Sequence, residues 1–446
     1  MSFFVSLFTS TQLLLASPTA VTNQQLLVQQ MVQPLPGGLN QIPVFNSNSP
    51  ELVQREGILL STFPKKNKAF PNAHLNFPLK GRFDLFAHHV AKPPTPGDLS
   101  TLYLGILLHN PNQETVTIEV LSGASYLSQP DAPFIDLPSS LPNPNGMVYA
   151  GPGSRVMNDI LRDRRQSFLP QKLTIPPQSS RLLLNAPIPV RPFEPPLNGR
   201  STYLRLQSSG TVYAASLAQY APKTAKGEER PPRLSEWEAM LLEENLVTPR
   251  DKVPTPPQQE QSLIYGRVAG VARGNQWKTT VPVDLPPAGE ALAYGISTLV
   301  GGRLGTEQVQ SAPMLVRYPD TAYEAHGNYG VEYELTFQLQ NTSSTAQQVT
   351  FALSTPVKQD DLNQGLQFLD PPPDQVFFRG TVAVSYPNPQ GKAITRYFHL
   401  VQNRGEKGEP LVELSVPPNT QHQVTVSLLY PPDATPPQVI TIRTQE

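Results

Sequence analysis

The chain has 446 residues with 51 prolines and no cysteine, and its 34 basic side chains nearly balance 35 acidic ones. Proline at about twice its usual frequency excludes a helical bundle or coiled coil, because each proline removes a backbone donor and breaks a helix interior. The balanced charge offers no basic surplus for binding the phosphates of nucleic acid. The lack of cysteine excludes disulfides, thiolate catalysis and cysteine-ligated metal centres.

The N-terminal residues have the composition of a secretory signal. Residues 3–16 are apolar and uncharged, which suits a signal's hydrophobic region but is too short to span a bilayer. We therefore expect residues 1–22 to be removed on export and no transmembrane span to be left. No Lys or Arg precedes the apolar residues, and Pro18 is unfavourable near the cleavage site. The alternative is a cytoplasmic protein in which residues 3–16 form a buried strand or short helix.

The rest of the chain divides by composition. Residues 23–79 are rich in glutamine and then in turn residues, and they predict an extended segment with turns. From about residue 80, short apolar stretches alternate with turn signals, a pattern typical of an antiparallel sandwich. The sequence therefore predicts a mainly β protein.

A similar unit occurs twice in this β-rich part. Residues 329–340 alternate strictly between apolar and polar, and they predict a strand with one buried face, followed by a hairpin turn from Asn341. An earlier predicted hairpin turns at Asn110. Downstream of each hairpin, a pair of prolines (from Pro176 and from Pro417) separates two further predicted strands.

This repetition predicts an internal duplication. We expect two homologous immunoglobulin-like antiparallel β-sandwich domains, at residues 80–222 and 261–446. The alternative is chance similarity among β-rich segments that contain many prolines.

One short helix is predicted between the two domains, in a linker at residues 223–260. Ser235 and Glu238 have the spacing of a capping box, and the apolar face around Trp237 predicts an amphipathic helix over 235–247. A helix this short is marginal alone, so we expect Trp237 to pack on a sandwich domain. The alternative is a helix that binds a partner.

No catalytic motif is present in the sequence, so we assign no catalytic residue, cofactor or metal. The adjacent His88 and His89 are the most conspicuous candidate ligands for a metal. Neighbouring side chains of a strand point to opposite faces, so the two are not expected to bind one ion.

The candidate ligand site lies in the Tyr-rich segment 318–333. Aromatic rings beside carboxylate and amide groups suit a carbohydrate, whose ring faces stack while its hydroxyls form hydrogen bonds. The candidate binding residues are Tyr318, Asp320, Tyr323, Glu324, His326 and Tyr329. Tyr333 belongs to the alternating strand and is expected to face inward. The alternative is a purely structural loop.

Several long segments resemble an uncharacterised cyanobacterial family, catalogued only as a domain of unknown function. The segments that carry the resemblance are PVFNSNSPELVQREGILLSTFP (43–64), HLNFPLKGRFDLFAHHVA (74–91), LIYGRVAGVARG (263–274) and APMLVRYPDTAYEAHGNYGVEY (312–333). The resemblance extends from about residue 33 to the end. It implies a cyanobacterial source and export, and it provides no catalytic residue.

These observations together favour an exported, non-catalytic protein of the periplasm or cell envelope with a binding or structural role. Its expected partners are a cell-envelope glycan or another envelope protein. A carbohydrate-binding or carbohydrate-active protein that uses residues 318–333 is the alternative. A cleft with two facing carboxylates would favour the enzyme.

Overall fold

The computed structural model describes residues 24–257, 259, 262–362, 365–388 and 390–446. The predicted signal lies outside these residues. No helix within the described ranges is both long and apolar enough to span a membrane.

The described residues form 25 strands and two α-helices, as expected for a mainly β protein. The first twelve strands are β1 (Gln24–Val28), β2 (Met31–Gln33), β3 (Pro43–Ser47), β4 (Leu52–Val53), β5 (Gly57–Ser61), β6 (Leu79–Ala91), β7 (Leu102–Asn110), β8 (Val116–Leu127), β9 (Ser140–Pro142), β10 (Lys172–Ile175), β11 (Ser179–Ile188) and β12 (Asn198–Tyr220). The remaining strands are β13 (Ala269–Arg273), β14 (Gln276–Asp284), β15 (Ala291–Ile296), β16 (Ala312–Arg317), β17 (Glu324–Ala325), β18 (Glu332–Gln340), β19 (Gln347–Ser354), β20 (Leu366–Asp370), β21 (Val376–Pro387), β22 (Ala393–Asn403), β23 (Val412–Val416), β24 (Gln421–Leu429) and β25 (Gln438–Thr444). The helices are α1 (Pro152–Leu161) and α2 (Leu234–Glu243), and a short 3₁₀ turn covers Pro71–Ala73.

The strands form four sheets, which are largely antiparallel. The twelve-stranded sheet follows the order β10-β8-β12-β6-β3-β13-β16-β17, with β4, β5, β7 and β11 joined alongside. A six-stranded sheet has the order β14-β18-β24-β21-β22-β9, and a five-stranded sheet has the order β2-β15-β25-β19-β23. β1 and β20 form a separate two-stranded sheet. The pairs β3 with β6 and β14 with β18 are parallel.

Two large apolar cores lie between these sheets. β12 pairs with β6 and β8 in its first half and with β5 and β7 after a bulge between Ser208 and Val212. The strands that pair with the first half of β12 and those that pair with its second half therefore contribute to the same core. This core includes Phe83 and Ile106. The six- and five-stranded sheets enclose the other core, which includes Leu335 and Ile440.

The predicted strand at residues 329–340 is confirmed from Glu332 onward. Tyr333 is fully buried together with the apolar residues that alternate after it, and the polar residues between them are half-buried. This alternation follows from the period of two of an extended chain. Tyr333 therefore faces inward, as expected.

The two predicted hairpins are wrong. β7 pairs with β11 and β12, whereas the next strand, β8, pairs with β10 and β12. In the same way β18 lies in the six-stranded sheet and β19 in the five-stranded sheet. The turns at Asn110 and Asn341 therefore carry the chain across a core from one group of strands to another. Alternation of apolar and polar residues indicates which face of a strand is buried, but it does not indicate which strand pairs with it. The predicted pairing of consecutive strands was wrong for this reason.

The two turns have the same hydrogen bonds. The Asn110 amide donates to the carbonyl oxygens of Glu114 (2.7 Å), Ile175 (3.0 Å) and Pro176 (3.0 Å). Its own oxygen accepts from the backbone N–H of Asn112 at 2.9 Å.

Asn341 repeats this pattern in the second half of the chain. Its amide donates to Thr345 (2.8 Å), Val416 (2.9 Å) and Pro417 (3.1 Å), and its oxygen accepts from the Ser343 N–H at 2.9 Å. Strand partners also correspond, since β10 pairs with β8 as β23 pairs with β19, and β11 with β7 as β24 with β18.

Strands from both predicted domains pair within the same sheets. β13 and β16, which follow residue 261, extend the twelve-stranded sheet from β3. β9, from the predicted first domain, pairs with β22 of the six-stranded sheet. Residues 24–79, predicted as an extended segment with turns, contribute five strands to the sheets.

The linking helix α2 is shorter than predicted and starts one residue earlier. Its cap is formed by the Glu236 carboxylate, which accepts from the backbone N–H of Arg233 at 2.6 Å, and Ser235 with Glu238 does not form the expected box. Trp237 is fully buried beside Gly105 and the apolar residues around Leu107, as expected for a docked helix. The sequence reading missed α1, which packs between the two cores.

Candidate ligand-binding cleft

A cleft of about 550 Å³ opens where residues that flank the two cores meet. This volume lies in the range of small-molecule sites. One wall is formed by β3 and the residues after it, and by the segment that leads into β13. The other wall is formed by the residues between β17 and β18, together with segments after β19 and β24.

The loop from β17 to β18 places two rings at the cleft. Asn328 adopts a left-handed conformation (φ 48°), and its amide is fixed by bonds to the Gln310 carbonyl oxygen (2.8 Å) and the Tyr333 hydroxyl (3.0 Å). A Cβ at Gly327 would lie 2.6 Å from the Tyr329 ring, so this position needs glycine for the ring to pack as it does. The loop therefore holds Tyr329 in one position.

Two buried asparagines lie on the opposite wall. Asn46, on β3, and Asn48, just after it, are each 4% exposed and line the cleft. Neither amide oxygen has a hydrogen-bond partner among the described residues. Both oxygens are themselves fully buried, so the two side chains pack beneath this wall of the cleft and their oxygens are not open to it.

The two carboxylates of the cleft are both paired with Arg267. Its guanidinium contacts Glu51 closely and approaches Asp251 to 4.0 Å. Ser49 Oγ donates to Asp251 at 2.6 Å, and His88 Nε2 lies 3.6 Å from Glu51. Burial alone would raise the pKa of Glu51, but the hydrogen bond from His88 and the charge of Arg267 lower it below its ordinary value. Glu51 is therefore ionised near neutral pH.

Lys358 and Tyr265 form a polar contact beside His326. Lys358 Nζ donates to the Tyr265 hydroxyl, which donates to the Val300 carbonyl oxygen at 2.6 Å. Burial lowers the pKa of Lys358 to about 8 and raises that of Tyr265 to about 12. The His326 ring lies 5.0 Å from the Tyr265 ring, and burial lowers its pKa to about 4, so His326 is neutral at pH 7.

Among the residues predicted from the Tyr-rich segment, His326 and Tyr329 line the cleft. Glu324 lies beside it, with Oε2 3.7 Å from His326 Nδ1. Tyr323 is half-buried outside the cleft, with the guanidinium of Arg317 3.8 Å from its ring centre.

Tyr318 and Asp320 have structural partners instead. Tyr318 is 1% exposed in the first core, and its hydroxyl donates to the Ala73 carbonyl oxygen (2.7 Å) and accepts from Ser61 N–H (3.0 Å). The Asp320 carboxylate is bound by both ends of the Arg250 guanidinium, at 2.8 and 3.4 Å. Neither side chain is placed to reach a ligand in the cleft.

The sequence analysis did not identify most of the residues that form the other wall of the cleft. Asn46 and Asn48 occur in a stretch that reads as a turn, and nothing local indicates that it is buried. Glu51, Arg267 and Lys358 come from separate segments that only tertiary pairing brings together. The available signal was the family resemblance, since the segments 43–64, 263–274 and 312–333 all contribute to the cleft.

The adjacent histidines point to opposite faces of β6, as expected. His89 is 1% exposed and contacts the Pro50 carbonyl oxygen (2.8 Å), whereas the ring of His88 contacts Ser201 Oγ (2.7 Å). In the part of the chain that the structure describes, no group of three or more His, Asp or Glu side chains could hold a metal ion.

The fold and the cleft define a mainly β protein with a polar cleft between two cores. The chain belongs to the family described as "Protein of unknown function (DUF3370)", which it matches over residues 30–444. No curated protein matches the sequence.

Three of the solved structures that the chain resembles are distant in sequence and fold. Lac15 from a marine microbial metagenome is 8% identical with a TM-score of 0.12, over 79% of this chain and 50% of that one. Fet3p, a multicopper oxidase that functions in iron import, is 9% identical with a TM-score of 0.10, over 78% of this chain and 51% of that one. The chain thus spans about half the length of both. The coconut allergen cocosin is 8% identical with a TM-score of 0.10, over 83% and 84% of the two chains.

Proposed function

We propose that the chain is an exported, non-catalytic binding protein of a cyanobacterial periplasm or cell envelope, and that its cleft binds a carbohydrate. The observation that carries the carbohydrate proposal is the composition of the cleft, in which the rings of His326 and Tyr329 lie beside charged side chains. Glu51, Arg267 and Lys358 line the same cleft and supply hydrogen-bonding groups. Hydroxyl donors and ring faces are what a sugar offers to such a surface.

A binding role is supported by the state of the carboxylates. Glycoside hydrolysis needs one carboxylic acid whose pKa is raised so that it can donate a proton. In the cleft, Glu51 has a lowered pKa and both acids are engaged by Arg267. Burial raises the pKa of Glu324, but its side chain is 38% exposed and lies beside the cleft. A carbohydrate-active enzyme with Glu324 as its acid is the second candidate.

We also propose that β7 to β12 and β18 to β25 descend from one duplicated immunoglobulin-like unit. The support is the shared bonding of Asn110 and Asn341 and the shared strand partners. Gln178 and Asn419, two residues after the first proline of each pair, also share a left-handed backbone with φ of 50° and 52°. The strands between and before the two units would be later additions that join them.

A glycan-array screen tests the binding proposal. We expect the full chain to bind a subset of glycans and His326→Ala to lose that signal. Tyr323→Ala is the matched control, because it removes a ring from the same segment outside the cleft. Equal loss in both variants, or no binding by the unaltered protein, would contradict the proposal.

Export is tested separately by fractionating cells and sequencing the N-terminus of the mature protein. We expect a protein outside the cytoplasm that lacks residues 1–22. An intact N-terminus in the cytoplasmic fraction would contradict export while leaving the cleft proposal unaffected.

A further inference from the structure

The charged side chains of the cleft include one half-buried cation that no carboxylate of the described residues contacts. Three cationic side chains and two carboxylates line the cleft, and Arg267 contacts both carboxylates. Lys252 is exposed at the cleft, whereas Lys358 is half-buried. No carboxylate of the described residues lies within 4.0 Å of Lys358 Nζ.

The acidic residue nearest to Lys358 in the chain has other partners. The Asp360 carboxylate accepts from the backbone N–H groups of Gly301 (3.2 Å) and Arg303 (3.0 Å). It also lies 3.7 Å from the Arg303 guanidinium. Asp360 therefore stabilises the loop before β16, and the contact of Lys358 Nζ is the neutral hydroxyl of Tyr265.

We propose that the carbohydrate bound in the cleft is acidic, with its carboxylate or sulfate bound by Lys358. This inference rests on the proposed carbohydrate-binding function and specifies the class of sugar. A lysine that lines a cleft and has no carboxylate of the described residues in contact attracts an anion. A neutral sugar would leave Lys358 without an anionic contact.

Calorimetric titration of the full chain tests this inference with four probes. These are a glucuronic acid oligosaccharide, a sulfated glucose oligosaccharide, the neutral glucose oligosaccharide of the same length, and sodium acetate or sulfate alone. We expect one of the acidic oligosaccharides to bind about tenfold or more tightly than the neutral one, as a charge-assisted hydrogen bond provides. The arm that binds identifies the acidic group.

Three variants assign the effect to one side chain. Lys358→Gln should weaken binding of the acidic oligosaccharide by about tenfold, and Lys358→Arg should retain most of it. Lys252→Gln removes the same charge from an exposed position on the cleft and should change affinity by less than about threefold, because exposed charges interact weakly.

The other outcomes separate this inference from the function on which it rests. Equal binding of neutral and acidic oligosaccharides would overturn the acidic-sugar inference and keep the carbohydrate site. Acetate or sulfate binding as tightly as the oligosaccharides would overturn both, since the sugar would add nothing. Binding by no probe would also overturn both. An equal loss in Lys358→Gln and Lys252→Gln would overturn the role of Lys358.

Discussion

Lys358 gives the cleft a charge that depends on pH near the physiological range. Burial lowers its pKa to about 8, so the side chain is a cation below pH 8 and becomes neutral above it. The groups that act on it are the Tyr265 hydroxyl, the neutral His326 ring and the Asp360 carboxylate. Affinity for an acidic sugar should therefore fall as pH rises through 8. The fall should continue above pH 8, because a bound anion raises the pKa of the lysine.

Titration calorimetry between pH 6.5 and 10 measures this dependence. Lys358→Arg should remove the fall, because arginine keeps its proton throughout this range. A fall of the same size in the arginine variant would show that another group controls binding.

Buried histidines make the fold sensitive to acid. Burial lowers the pKa of His89 to about 3 and those of His74, His326 and His399 to about 4. The unfolded chain takes up protons near pH 6.5 while the folded chain does not, so the free energy of unfolding should decrease as pH falls from 6.5 towards 4. Chemical denaturation at several pH values checks this expectation.

His399 allows a single-residue test of the acid effect. Both of its ring nitrogens are buried, and neither has a hydrogen-bond partner within the part of the chain that the structure describes. His399→Phe therefore removes a polar group that these residues do not use. The variant should be about as stable as the parent at pH 7 and should lose stability less steeply below pH 6.5. An unchanged acid slope would contradict the assignment.

At the scale of elements, α2 depends on one large contact. Trp237 is fully buried, and a Cβ on Gly105 would meet its ring at 2.7 Å, so the indole lies flat against β7. Trp237→Ala should lower the free energy of unfolding by about 3–5 kcal/mol, as for other large-to-small changes in a core. Leu242→Ala, on the exposed side of the same helix (46% exposed), should change it by less than about 0.5 kcal/mol. Urea denaturation measures both, and equal effects would contradict this docking.

The elements that the sequence predicted well are those with a local pattern. β18 follows from strict alternation, and α2 follows from an amphipathic face around Trp237. α1 also has local signals that were missed, with Pro152 at its first position and Val156, Met157 and Ile160 on a buried face.

The candidate site could be predicted only in part, because its residues come from distant parts of the chain. His326 and Tyr329 belong to one loop whose composition already suggested a ligand. Asn46 and Lys358 are about 300 positions apart in the chain and meet through strand pairing, which alternation within a strand cannot specify. Tyr318 has the same residue type as Tyr329, and only burial distinguishes their roles.

At the scale of the whole molecule, the two turns at Asn110 and Asn341 hold the two cores in the same way. Each side-chain amide donates hydrogen bonds to three backbone carbonyl oxygens, and the substitution to alanine removes all three bonds. Asn110→Ala and Asn341→Ala should each lower the free energy of unfolding by about 2 kcal/mol or more. Gln113→Ala and Thr342→Ala, exposed positions in the same turns, are the controls.

Thermal and urea denaturation compare the four variants. Similar losses at the two asparagines, with little change in the controls, are expected if both turns have the same structural role. A large loss at one asparagine and none at the other would contradict the equivalence on which the proposed duplication depends.

The most direct test of the cleft as an acidic-sugar site is a crystal structure of the full chain with the acidic oligosaccharide at saturating concentration. The account predicts sugar density between the two walls, with its anionic group about 3 Å from Lys358 Nζ. Density for the sugar at another surface, or a cleft without sugar at a concentration that saturates binding in solution, would contradict it.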